Sequence, residues 1–285
     1  MITVFRYSLR RLRGQVLGWG IGLALLGLLL VSMYDSIASN IGALEDYLEV
    51  FPEEFAAFFG DFTAFGTPEG FLGVEFFSYM PLILGIFAVL IGSGLLVSDE
   101  ESGRLDLIMA QPVSRTGLFL GRLLAFVAAS VGITVLTWAG LAVPMSWSTM
   151  DVGRGQLALP LLTMLVQVLL FGALALLLSM LLPSRRLAAT TAGLLLVASF
   201  FITGFANINE DLEPVAKLSP LTYYQAQEAF GGLNWEWMAG LLGATLVFVL
   251  LGWWLFQRRD IRVGGEGGWR LPALPWRRSG SGEAN

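Results

Sequence analysis

The sequence predicts an all-α polytopic membrane protein with six transmembrane helices, and three observations carry that reading. Hydrophobic residues fill 55% of the 285 positions and charged residues 14%, against roughly 45–50% and about 25% in soluble domains. Six stretches contain no Asp, Glu, Lys or Arg: 14–34, 76–98, 123–150, 155–184, 187–209 and 237–257. Each matches the roughly 20 residues that carry a helix across a hydrocarbon core. They are continuously apolar, whereas barrel strands alternate apolar and polar positions over roughly ten residues.

Taken in order, residues 2–13, "ITVFRYSLRRLR", set Phe5, Leu9 and Leu12 at helical spacing with Val16 beyond, beside a stripe of Arg6, Arg10 and Arg13. This pattern predicts an amphipathic helix on the membrane surface. The spans follow at about 15–34, 76–98, 118–143, 157–182, 187–207 and 237–257. The first has a basic start and a small-residue "SIA" at 36–38, but it exceeds the roughly 7–15 apolar residues of a secretory signal. The connection 35–75 contains a helical pattern from Leu44 to Phe59, with Glu45, Asp46, Glu49, Glu53 and Glu54 on its solvated side and a kink or restart at Pro52. Carboxylates alone do not define a cation site, so no metal is assigned. The connection 207–236 is broken by Pro214 and Pro220 and carries Tyr223, Tyr224, Trp235 and Trp237 as interface anchors. It is expected to form short helices that dip back into the membrane, where protein or water must satisfy their backbone. Residues 1–257 form the membrane domain, and 258–285 are expected to be a loosely ordered tail whose arginines meet anionic lipid.

Charge fixes the orientation. Of the 17 basic residues, 15 precede span one, lie in the second or fourth connection, or follow span six; Arg154 and Lys217 are opposite. The positive-inside rule therefore puts both termini in the cytoplasm. The expected location is the cytoplasmic membrane of a prokaryote.

Absences narrow the function. The chain has no Cys and no His, which removes thiolate and imidazole chemistry. Lys217 is its one lysine and lies outside any Gly-rich loop, so there is no phosphate-binding loop and no ATP hydrolysis of its own. No ionisable residue lies deep in a span, which argues against an autonomous ion-coupled carrier. Polar and small residues within the spans, such as Gln167, Ser93, Thr134, Thr190 and the Gly18–Gly22 spacing, are read as helix packing and interhelical hydrogen bonds. The outside carboxylates and Ser219 or Tyr223 lack a base at diagnostic spacing for an enzyme.

The informative connection is 98–117. Ser98 and Glu101 have capping-box spacing, so a helix is expected over 99–111. Its acidic start suits the helix dipole. Pro112 ends this helix, and Ser114 caps the next. Leu105, Ile108 and Met109 share an apolar face, and their full burial is worth roughly 1.5–3 kcal/mol each. That face needs a partner: the membrane surface, the protein's own helix ends, or a second protein.

The run Glu100, Glu101, Gly103, Leu105, Asp106, Leu107, Ala110, Gln111, Pro112, Val113, Ser114, Arg115 resembles the signature of ABC transporter permeases of the type-2 exporter class. There an acidic, Gly-containing helix of the form "EE..GTLELLLAQPVSR" joins spans two and three. This sequence departs from it with Arg104 for a small polar residue, Asp106 for Glu, and Ile108 and Met109 for leucines. The resemblance implies a permease without enzymatic activity or cofactor of its own. It implies pairing with a cytosolic ABC ATPase subunit that holds ATP and Mg, two copies of each, and a second copy of this permease or a similar one. It further implies that Glu100, Glu101, Gly103, Leu105, Asp106, Gln111 and Pro112, with Ile108 and Met109 on the apolar face, transmit ATPase closure to the spans. Spans two and five would line the substrate path. A hydrophobic or amphipathic cargo (drug, antibiotic, lipid or peptide) suits these spans. The alternatives are permeases for metal-centre assembly or sodium extrusion, or a membrane scaffold. No nucleic-acid partner is expected.

Overall fold

A computed structural model describes residues 1–40, 58, 62–111 and 113–258. Within them the chain is helical and contains no strand. The acidic segment 44–59, apart from Phe58, and the tail from 259 lie outside the described residues.

The main elements are α1 (Ile2–Ser39), α2 (Pro68–Leu72), α3 (Met80–Gly94), α4 (Val97–Glu101), α5 (Arg104–Met109), α6 (Arg115–Ala142), α7 (Arg154–Leu181), α8 (Arg185–Ala206), α9 (Glu213–Ala216) and α10 (Trp235–Arg258). A π-helical turn, Gly73–Phe77, joins α2 toward α3. Six helical stretches are long and apolar enough to cross a membrane: Ile2–Ser39, Pro68–Gly94, Arg115–Trp147, Arg154–Leu181, Arg185–Ala206 and Trp235–Arg258. They overlap the six expected spans. Large apolar side chains cover their outer faces, including Leu25, Leu29, Leu194, Phe201, Leu246 and Trp254, as hydrocarbon-facing helices require.

The separate surface helix expected at 2–13 is not a separate element. It runs without interruption into the first span as the 38-residue α1, about 57 Å long at 1.5 Å per residue. Part of its apolar stripe packs internally: Val4 lies over Gly121 and Val16 beside Gly132, and Phe5 lies beside Leu124, Val127 and Ala128, so α6 covers part of the face that the sequence gives to lipid. Arg6, Arg10 and Arg13 remain exposed on the other side.

α1 and α6 run parallel along their length. A β-carbon at Gly140 would lie 2.3 Å from Ala24 Cα, a backbone approach that only small residues permit. α3 and α7 cross in the same way, with a β-carbon at Gly92 only 2.3 Å from the Gly172 carbonyl oxygen. α7 is the most buried of the six and supplies Leu157, Leu161, Met164, Val168 and Phe171 to the main core. The Gly18–Gly22 pair plays no such part, since neither residue has another atom near its missing β-carbon.

At the end of the bundle away from Met1, Asp35 accepts hydrogen bonds from Ser148 Oγ (2.7 Å), Thr149 N (2.8 Å) and Thr149 Oγ1 (2.6 Å). These bonds tie the end of α1 to the connection after α6. The connection 207–236 forms short helical turns packed into the bundle. Gln167 Nε2 donates to Pro220 O at 2.8 Å, and Thr163 Oγ1 to Gln225 O at 2.7 Å. Thr203 Oγ1 pairs with Ser219 Oγ at 2.9 Å, and Tyr224 Oη donates to Phe77 O at 3.0 Å. Gln167 lies thirteen residues into α7, so Pro220 meets that helix about 20 Å from its start. Irregular backbone at this depth is tolerable because Thr163 and Gln167 of α7 satisfy its carbonyls. Burial first, and Glu228 second, raise the Tyr224 phenol above its ordinary range.

Of the polar residues read as interhelical glue, Gln167 makes such a bond. Ser93 and Thr134 instead donate to carbonyls of their own helices, Leu90 and Ser130.

Candidate functional site

The connection from α3 to α6 is two short helices rather than one helix over 99–111. α4 ends at Glu101 and α5 begins at Arg104, with Gly103 between them at φ 67°. That left-handed conformation costs an L-residue roughly 1–2 kcal/mol and a glycine almost nothing. α5 ends at Met109, three residues before Pro112, and Ser114 caps α6 as expected, accepting from Gly117 N at 3.0 Å.

The expected capping box does not form. α4 continues almost directly from α3, so Ser98 and Glu101 do not stand at a free helix start. They serve α8 instead. Glu101 Oε1 accepts the backbone N–H of Arg185, the first residue of α8, at 2.8 Å, and Ser98 Oγ accepts from Arg185 Nη1 at 3.4 Å. A carboxylate at a helix N-terminus satisfies an orphan donor and the helix dipole together.

One turn away, Asp99 is a hub. Its Oδ2 lies 2.6 Å from Arg122 Nη2 of α6, and its Oδ1 lies 3.0 Å from Arg11 Nη1 of α1 and 3.1 Å from Arg104 Nη2 of α5. Asp99 and Arg122 are 3% and 5% exposed. Arg122 also donates to Leu95 O at 2.6 Å, in the junction where α3 gives way to α4. The Arg11 and Arg104 side chains are about half exposed, where ion pairs contribute roughly 0–1 kcal/mol. The buried Arg122–Asp99 pair therefore dominates, since removing one partner of such a pair costs roughly 3–5 kcal/mol.

Leu105 is 2% exposed and packs with Leu96, Val97, Leu118, Phe119, Leu176, Met180 and Phe256, with Ile108 half-buried beside it. Leu105 and Ile108 of α5 thus meet the foot of their own bundle. At the following turn Arg115 Nη1 donates to the Gln257 carbonyl at 3.2 Å and the Phe256 carbonyl at 3.4 Å, closing the last turn of α10 with a cation.

Among the expected coupling residues, Glu100 is buried, Glu101 and Gln111 are exposed, and Gly103 is half-buried. The side chains of Asp106 and Met109, and residue Pro112, lie outside the described residues. Asp99 and Arg122 lie outside the set of residues that the sequence points to. Asp99 was visible as an acid in an acidic run, but Arg122 read as a flank of span three, and nothing in spacing alone shows that they meet. The connection is thereby tied to α1, α6, α8 and α10 while Ser102, Arg104, Ala110 and Gln111 face outward.

A six-span helical membrane protein with a short connector clamped to four of its spans is the class that this geometry defines. The chain matches, over residues 3–257, the family model described as the C-terminal domain of the multidrug efflux system permease Rv1217c. It belongs to that family and is accordingly a permease of an efflux type rather than an enzyme, consistent with the resemblance to ABC permeases. Among curated proteins, none matches the chain.

Proposed function

We propose that this chain is the membrane subunit of an ATP-driven exporter, with both termini in the cytoplasm, working as a dimer with two cytosolic ABC ATPase subunits that bind ATP and Mg. It moves hydrophobic or amphipathic compounds, drugs first among them, out of the cytoplasm or inner leaflet. One observation supports this reading most: the connector 97–115 joins four spans through named polar contacts and keeps an outward surface. A push on that surface reaches α1 and α6 through Asp99, α8 through Glu101 and α10 through Arg115. Leu105 and Ile108 fix the connector to the bundle, and Arg104, Ala110 and Gln111 offer the ATPase its contact.

The test is co-purification of an ATPase subunit with the tagged full-length chain, followed by ATP hydrolysis in lipid with and without transported drug. Gln111→Trp should weaken association with the ATPase. Glu101→Gln should preserve association and lower drug-stimulated hydrolysis. Loss of neither would sink the coupling role.

A second reading has its own observation. The inward burial of Leu105 suits a connector that only braces the bundle of a non-transporting scaffold. That reading requires that no ATPase associates.

A further inference from the structure

A cleft of about 160 Å³ opens beside Asp99, between α1, the α3–α4 junction and the start of α8. Arg11, Arg122 and Arg185 reach it from three different helices, and among the described residues Asp99 is the one carboxylate in its wall. With Asp99 offsetting one arginine, the wall keeps a formal excess of two positive charges. Arg185 is held loosely for a guanidinium with five donors: its bonds to Leu90 O and Ser98 Oγ are 3.2 and 3.4 Å. It lies flat on bare backbone, since a β-carbon at Gly94 would come within 2.9 Å of its Nε. The nearby Glu101 is engaged with the Arg185 backbone N–H.

The cleft has an apolar flank on one side. Leu12, Leu90 and Ile91 line it, and Leu90 is 47% exposed, as is Ile86 one turn along α3 at 49%. Guanidiniums beside an outward apolar strip match a compact anion joined to a hydrocarbon chain. Arginine suits phosphate oxygens in particular, because its planar fork donates two parallel bonds.

We propose that this cleft binds the phosphate of an anionic membrane phospholipid, held by Arg11, Arg122 and Arg185 with an acyl chain along Leu90 and Ile86. The site rests on the six helices being membrane-embedded and is independent of ATPase coupling. Bound lipid would bridge α1 to α8 across α3.

The experiment uses the full-length chain purified in mild detergent and exchanged against phosphatidylglycerol or phosphatidylcholine. Retained lipid is counted by native mass spectrometry, and thermal melting is followed in parallel, with inorganic phosphate as a third ligand. Phosphatidylglycerol should be retained about tenfold more strongly than phosphatidylcholine, a difference of about 1.4 kcal/mol. Ser8→Glu places a carboxylate in the wall without removing an arginine and should abolish that preference. Arg185→Ala should act alike, while Arg6→Ala and Arg13→Ala, outside the cleft, should leave the preference intact. Equal retention of the two lipids, equal protection by inorganic phosphate, or a Ser8→Glu protein that keeps the preference would each overturn the assignment.

Discussion

Asp99 and Arg122 are the residues on which the connector depends, and they differ from the pairs around them by burial. Asp99→Asn leaves Arg122 buried without a counter-charge, and we expect a loss of roughly 3–5 kcal/mol, read as a lower melting temperature in detergent. Arg11→Ala removes a half-exposed partner of the same carboxylate and should cost less than about 1 kcal/mol. Equal losses in the two variants would refute the ranking. Gly103 gives an independent test: Gly103→Ala introduces a side chain at φ 67°, with an expected cost of about 1–2 kcal/mol despite open space around it. At this scale the sequence was partly legible. The glycine, the acids and the Ser114 cap stand in a short local run, where spacing carries information. The Asp99–Arg122 contact joins positions 23 apart across a change of direction, and local periodicity cannot encode it.

Among the elements, the connector and α8 share an end. Glu101→Gln keeps an acceptor oxygen for the Arg185 N–H but removes the negative charge from the first turn of α8, an interaction worth roughly 0.3–1 kcal/mol. Hydrogen exchange at the amides of Leu187 and Ala188 should quicken while α6 amides stay unchanged; the reverse pattern would show that Glu101 does not serve α8. The α3–α7 crossing makes a second prediction. Gly92→Val forces the helices apart at a backbone contact and should destabilise by more than about 1–3 kcal/mol, the usual cost of overpacking. The spans were legible because hydrocarbon demands long charge-free helices, whatever they pack against. The amphipathic reading of 2–13 gives the apolar face to lipid, whereas the helix runs on into the first span and α6 covers part of that face at Val4, Phe5 and Val16. Periodicity shows that a face needs covering, and the tertiary fold decides what covers it. The capping box at Ser98 and Glu101 failed for a similar reason, because a motif for starting a helix has no free start to act on where one helix runs on from another.

On the scale of the whole molecule, the six spans and the efflux-permease family agree, and the connector gives them a mechanical link. Its polar contacts reach four spans from one short segment, so an outside force applied there would move them together. The apolar outer faces of α8 and α10 leave room for lipid and for a second copy in the proposed dimer. The measurement that tests the central claim most directly is ATP hydrolysis by the purified permease–ATPase complex in lipid, with and without drug, comparing the unaltered chain with Glu101→Gln. The account predicts an intact complex whose drug-stimulated hydrolysis falls several-fold in the variant while basal hydrolysis is retained. A variant complex as responsive to drug as the unaltered one, or a permease that binds no ATPase at all, would contradict it.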